Sequence, residues 1–259
     1  MVFQRQTFVF FVFFTYNILV IAPVSIIIPT LNEEKYLPAL LQSIKDQTLK
    51  PFEVIVSDSL SKDNTREVAK TFGCKITEVE PPISPAKGRN TGEKIATQEI
   101  LLFLDSDVKL FPDFLEIAMK EMEGKKLDVA TCFVVPSSKS FIYRIGSFML
   151  NYYFLFISTL SPHAGGYCIF IKKTLHDKIN GFDESLALGE DHDYVKRASK
   201  LGKFGVIRNA KIQISTRRFE EEGFMKIFSK YLLSELQTLI FGKQKIKSLG
   251  IEFGKHHKE

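Results

Sequence analysis

Tryptophan is absent from this 259-residue chain, although phenylalanine occurs 24 times. Cysteine is scarce: Cys74, Cys132 and Cys168 are odd in number, far apart and without metal-ligand spacing. This argues against a disulfide framework or a cysteine-built metal site and fits a reduced, intracellular protein. A large excess of one charge is also missing. The 35 basic and 30 acidic residues leave a net +5, too mild to demand nucleic acid but suited to an anionic small molecule or a membrane surface. No repeat or low-complexity linker interrupts the chain, and no G-x-G-x-x-G follows the first apolar strand, which disfavours a dinucleotide-dependent oxidoreductase. The rest, 45% hydrophobic and 25% charged, is ordinary globular composition.

From Val24 to Val108 strand and helix patterns alternate. VSIIIPT (24–30), FEVIVS (52–57), CKITEV (74–79) and EILLFL (99–104) read as buried strands. Residues 32–47, 64–72 and 87–96 carry helical patterns, with Asn32 as the expected N-cap of the first. Nearly all-apolar strands alternating with helices predict a parallel sheet covered on both faces, whose ligands bind beyond the carboxyl ends of the strands. Thr30, Asp58 and Asp105 each follow such a strand and should converge on one crevice. Further on, a helix at 112–123, a strand at 127–135, an apolar aromatic stretch at 141–160, a helix in the second half of 181–203 and two short strands, FGVI and AKIQIS, are expected.

The strand ending at Leu104 runs into Asp105-Ser106-Asp107. In an extended segment residues i and i+2 point the same way, so the two aspartates make a hard oxygen site suited to Mg²⁺ or Mn²⁺ with phosphate oxygens. The plain alternative is a solvated turn in which Asp107 caps the next helix. Asp58 reads as a second strand-tip acid or as a turn residue. Lys87 and Arg89 stand at a loop-to-helix junction suited to a diphosphate, or form an ordinary basic turn. Glu190, Asp191 and Asp193 open a helix whose macrodipole favours acids; Asp191 would serve equally as a general base. His192 reads as a packing or surface residue.

Taken in order, VSIIIPTLNEEKYLPALLQSI, VIVSDSLSKDNT, AKGRNTG, ILLFLDSDV and GFDESLALGEDHDYVKRASKLG resemble an inverting glycosyltransferase of family 2 over residues 23–220. The resemblance implies an α/β, GT-A type (Rossmann-like), mostly parallel sheet flanked by helices, with appended amphipathic or apolar helices. It implies a nucleotide-sugar donor, a UDP-sugar in this reading, lined by Pro29, Thr30 and Glu33, with Asp58 reading the base. Asp105 and Asp107 would hold a divalent metal, with Asp107 the direct ligand. Glu190-Asp191 would supply the catalytic base, Asp191, with Glu190 binding acceptor or phosphate, and Lys87 or Arg89 would help the metal stabilise the departing diphosphate. The family's Asp-Asp-Gly-Ser is here Asp58-Ser59-Leu60-Ser61, without the second acid and the glycine. STRRF (215–219) is similar to an arginine-bearing segment of some relatives, so Arg217 and Arg218 would grip a donor or lipid phosphate, unless they form a basic membrane-facing turn.

Residues 8–22 form an apolar stretch of about 15 residues, short for a span of about 20. No small-x-small cleavage site precedes Val24, so a peripheral anchor or packed extension is expected rather than a signal peptide. A crossing at 141–160 would part Asp105 from Asp191, so an in-plane helix is expected there. Residues 221–259 predict an amphipathic helix and a lysine-rich tail suited to an anionic surface. The enzyme is thus expected at the cytoplasmic face of a membrane, peripheral or N-terminally anchored, with a lipid-linked or glycan acceptor and no nucleic acid. A catalytically silent nucleotide-sugar binder and a nucleotidyltransferase of similar fold are the rival readings.

Overall fold

The computed structural model describes residues 21–158, 162–186, 189–217, 220 and 223. The expected N-terminal anchor, apart from its last two residues, and the C-terminal helix and tail lie outside these residues, as does Arg218. The elements run β1 (Ile21–Thr30), α1 (Leu37–Lys45), β2 (Lys50–Asp58), α2 (Thr65–Thr71), β3 (Lys75–Glu78), α3 (Pro85–Glu93), β4 (Ile100–Phe103) and β5 (Val108–Leu110). They continue with α4 (Phe114–Lys125), β6 (Val129–Pro136), α5 (Phe141–Ile157), β7 (Ile169–Lys172), α6 (Lys173–Lys178), α7 (Glu190–Ala198) and β8 (Phe204–Ile214).

The strands form one eight-stranded sheet in the order β3-β2-β1-β4-β7-β6-β8-β5. β1 pairs in parallel with β2 and β4, and β2 with β3, as their apolar character implied. The other half departs from an all-parallel sheet. β7 is antiparallel to both β4 and β6, and β5 is antiparallel to β8. A four-residue apolar strand such as β7 reads the same in either direction, so its polarity has no local signature.

Side-chain alternation divides the core in two. Ile26 and Ile28 of β1, with Leu102 and Leu104 of and after β4, face α1 and α4; Ile27, Leu101 and Phe103 face α3 and α7. Each such side chain contributes roughly 1.5–3 kcal/mol on burial. α3 lies close on β1 because two glycines one turn apart meet it. A methyl at Gly88 would stand 2.9 Å from Pro29 Cβ, and one at Gly92 2.5 Å from Ile27 Cγ2. This approach carries Arg89 to the end of β1.

Local differences from expectation have simple causes. Asn32 does not cap α1. It adopts φ 57°, and the helix begins only at Leu37 behind Tyr36, because residues 32–34 are bonded to the loop after β2. FGVI and AKIQIS join in one eleven-residue strand, β8. Asp107 caps no helix, since β5 intervenes and α4 starts behind Asp113.

α5 covers 141–157 of the aromatic stretch and buries only Asn151. That carboxamide accepts from Val134 N and donates to Val134 O, both at 2.8 Å, on the edge of β6 that β7 no longer reaches. Phe141, Ile142, Ile145, Phe148, Met149 and Phe156 of α5 are exposed. Among the described residues no helix is long and apolar enough to cross a membrane.

Candidate active site

The carboxyl ends of β1, β2 and β4 lie side by side, and the loops that follow β1 and β2 are bonded to each other. Asn32 N donates to Ser61 Oγ at 2.8 Å, Lys62 N to Asn32 Oδ1 at 2.9 Å, and Glu33 N to Thr65 Oγ1 at 2.8 Å. Within this lattice Pro29 and Thr30 are buried at the end of β1. Asp58 is wholly buried. Its Oδ2 accepts from Arg66 Nε at 2.6 Å and Ser61 N at 3.0 Å; its Oδ1 accepts from Ser61 Oγ at 2.5 Å and Thr30 Oγ1 at 3.3 Å.

After β4 the chain turns at Ser106 and Asp107 rather than running on extended. The two aspartates meet different neighbours. Asp105 Oδ1 takes Arg89 Nη2 at 2.9 Å, and Arg89 Nη1 reaches Glu190 Oε1 at 2.8 Å. Arg89, almost fully buried, thus joins the strand-tip acid to the first turn of α7, 101 residues further along the sequence than itself. Phe182 lies beneath its guanidinium, 5.3 Å from ring centroid to Cζ. Although 41% of its side chain is open to solvent, the crowded strand tip strips water from the Asp105 carboxyl and raises it above its ordinary range; Arg89 opposes that rise while Asp191 and Glu190 add to it.

Asp107 lies by Glu33. Burial first, then the negative charge of Asp107, pushes Glu33 up to about 7; Ser106 and Arg217 act against this and Asp105 with it. Glu33 Oε2 is buried without a hydrogen-bond partner among the described residues. Arg217, following β8, lays its guanidinium 4.0 Å over the Tyr36 ring and so closes the same corner.

Asp191, in the first turn of α7, accepts from Gly166 N and from its neighbour His192 N, each at 2.8 Å. The His192 ring lies 3.9 Å from Asp191 Oδ1 and 4.7 Å, centroid to centroid, from His163. Lys87 starts α3, its backbone N bonded to the Ser84 cap at 3.1 Å and its Nζ directed to Pro81 O at 3.4 Å.

The structure therefore brings Thr30, Glu33, Asp58, Arg89, Asp105, Asp107, Glu190, Asp191 and Arg217 to neighbouring positions at one end of the sheet. Lys87 stands at its margin. Sequence reasoning missed Gly166, Arg66 and Tyr36; the Gly165-Gly166 pair was the one visible signal among them. Asp105 and Asp107 fit a divalent cation as donors of hard oxygen. Glu33 is raised first by its burial and then by the negative charge of Asp107, and such an ion would relieve the second of these. Among the described residues no third ligating side chain joins them, so water and donor phosphate would complete the shell.

Residues 25–179, more than half of the chain, match the sequence profile described as glycosyl transferase family 2. An uncharacterized glycosyltransferase of Haemophilus influenzae is 29% identical over 187 residues, 66% of this chain and 60% of its own length. The chain spans about three fifths of the length of this relative and of Haloferax volcanii glycosyltransferase AglE, and a third or less of other curated relatives it matches. Staphylococcus aureus TarS, residues 1–349 in complex with UDP-GlcNAc, superimposes with a TM-score of 0.61 at 24% identity, over 74% of this chain and 58% of that one. The mannosyltransferase PcManGT of Pyrobaculum calidifontis, in complex with GDP-Man and Mn²⁺, gives 0.58 at 22% identity over 74% of this chain and 56% of its own. These two likenesses describe the fold.

Proposed function

This chain belongs to glycosyltransferase family 2, and from that premise we propose that it transfers a sugar from a nucleoside diphosphate, UDP in our reading, to an acceptor hydroxyl with inversion at the anomeric carbon. The observation that carries this is the Arg89 bridge. It holds the strand-tip acid Asp105 and the Glu190-Asp191 turn of α7 on one crevice, where a donor and an acceptor would have to meet. The UDP-GlcNAc complex of TarS and the GDP-Man and Mn²⁺ complex of PcManGT support a nucleotide-sugar donor and a metal.

In this reading Asp191 takes the proton of the acceptor hydroxyl. Two backbone N–H bonds, from Gly166 and His192, fix the plane of its carboxylate, which supplies the orientation general-base catalysis needs. The acceptor oxygen forms its bond to the anomeric carbon as the bond to the diphosphate breaks, the electron pair leaving on phosphate oxygen. A divalent metal held by Asp107 and Asp105 would supply Lewis-acid stabilisation of that leaving group. Lys87 and Arg217, cations at the margins of the crevice, add to it. Arg89 acts as a clamp on the two acids.

The exposed apolar face of α5 supports a membrane surface as partner and a lipid-linked acceptor, with a glycan acceptor as the other form. On this basis the enzyme works at the cytoplasmic face of a membrane.

The test is calorimetric titration of the full chain with UDP and GDP, with and without Mn²⁺, alongside Asp107→Ala and Asp191→Asn. Metal-dependent UDP binding lost in Asp107→Ala, with binding retained and turnover lost in Asp191→Asn, is the expected result. No nucleotide binding under any condition overturns the proposal. Binding without turnover, indifferent to Asp191→Asn, would make the protein a silent binder.

A further inference from the structure

The fully buried Asp58 has little left with which to meet a base. An ionised carboxylate offers about four acceptor sites, and four donors, from Arg66, Thr30 and the Ser61 backbone and hydroxyl, already occupy them. The group that Asp58 holds is more open. Arg66, on the first turn of α2, bonds Asp58 through Nε at 2.6 Å and Glu78 through Nη2 at 3.0 Å; one third of its side chain (33%) and over half of that of Glu78 (55%) stay exposed.

Sheet register explains the meeting. β2 and β3 run parallel with Asp58 opposite Glu78 at their tips, and Val79 N donates to Asp58 O at 2.8 Å. The tips of β4, β1, β2 and β3 form a row in that order. With the diphosphate end of a donor at the acids after β4, the nucleoside extends along the row toward β2 and β3.

We infer that in this chain the base is read by the Arg66–Glu78 pair, with Asp58 as the residue that positions Arg66. This rests on the nucleotide-sugar reading above. Guanidinium donors beside a carboxylate acceptor complement a base edge with a carbonyl oxygen next to a protonated ring nitrogen, the O4 and N3–H edge of uracil, which guanine shares through O6 and N1–H and cytosine lacks. Cytosine has no proton at that ring nitrogen and sets a lone pair against Glu78. The replacement of the family's second acid and glycine by Ser59 and Leu60 fits a site whose reading has moved from the β2 loop to the neighbouring strand and helix.

The test compares equilibrium binding of UDP and CDP, each with Mn²⁺, to the full wild-type chain, Glu78→Gln and Arg66→Lys, with thermal unfolding as a folding control. Glu78 is half open, so its variant should keep the wild-type melting temperature. The wild type should prefer UDP. Glu78→Gln, whose carboxamide can also donate, should shrink the UDP-to-CDP ratio by about tenfold or more. Arg66→Lys keeps the charge but loses the planar fork and should weaken UDP more than CDP. On a wild type that binds UDP, an unchanged ratio in folded Glu78→Gln overturns this inference alone. A wild type that binds neither nucleotide overturns the nucleotide-sugar reading, and this inference with it.

Discussion

Gly166 and Arg89 leave no room between them: a methyl on Gly166 would stand 2.2 Å from Arg89 Nη2. The same residue gives its N–H to Asp191 Oδ2. One glycine thus touches both the clamp that gathers the acids and the acid assigned as base. Gly166→Ala should push the guanidinium off Asp105 and Glu190 and shift Asp191. A displacement of about 1 Å at such a site costs on the order of 10²-fold in rate. Steady-state kinetics should show that loss in kcat with a smaller change in donor KM.

Leu60 stands at φ 61°, in the left-handed region that costs a residue with a Cβ roughly 1–2 kcal/mol. The loop between β2 and α2 therefore keeps a glycine-like backbone while carrying a half-open leucine. Leu60→Gly should stabilise the protein by about 1 kcal/mol, net of the extra chain entropy glycine brings. Urea unfolding should show a raised midpoint with an unchanged slope.

His176 lies buried among Phe103, Phe182 and Tyr194, with Nδ1 2.5 Å from the Tyr194 hydroxyl. Burial lowers it from 6.5 to about 4. Asp177 pulls it up and Lys173 and Arg197 push it down. The Glu93 carboxylate, 3.7 Å away, is bonded to Lys173. The fold thus holds a neutral imidazole, while the unfolded chain binds a proton below about 6.5. The stability that His176 contributes is fully in place above pH 6.5 and falls as pH drops from there to about 4, by about 3 kcal/mol. Glu33, raised to about 7, contributes a slope of the opposite sign over an overlapping range. The measurement is therefore the difference in denaturant stability between wild type and His176→Leu, which should move in favour of His176→Leu as pH falls from 6.5 to 4.

Much of the crevice could be read along the chain, because strand tips announce themselves: a β-branched apolar run that stops at Thr30, Asp58 or Asp105 marks the end of a buried strand. What joins those tips could not. Arg89 finds Glu190 only after α3 has been drawn onto β1 by Gly88 and Gly92 and after β7 has returned beside β4. Neither event has a local signal. The positions of Arg66 and Glu78 likewise depend on the register of β2 against β3, which residue patterns leave open. Asn32 shows the opposite failure. Its side chain suited a helix cap, but tertiary bonds to Ser61 and Lys62 outweighed that preference.

The exposed face of α5 leads to a direct test of membrane association. Phe148 and Phe156 are 60% and 68% exposed, so replacing both by Ser should change stability by no more than about 1 kcal/mol in total. Sedimentation with lipid vesicles should show wild-type chain in the pellet and the double variant largely in the supernatant. Equal partitioning of the two would remove α5 as the contact.

Asn151 has a meaning beyond anchoring one helix. An uncovered strand edge presents N–H and C=O groups to any extended segment that passes, and another copy of the same chain is the segment most often at hand. By filling the Val134 groups with its own carboxamide, Asn151 takes the place of the strand that β7 does not extend to provide. A leucine there would be more apolar yet would leave that edge adhesive. One buried carboxamide in a largely apolar helix therefore closes the gap left in β6 where β7 ends.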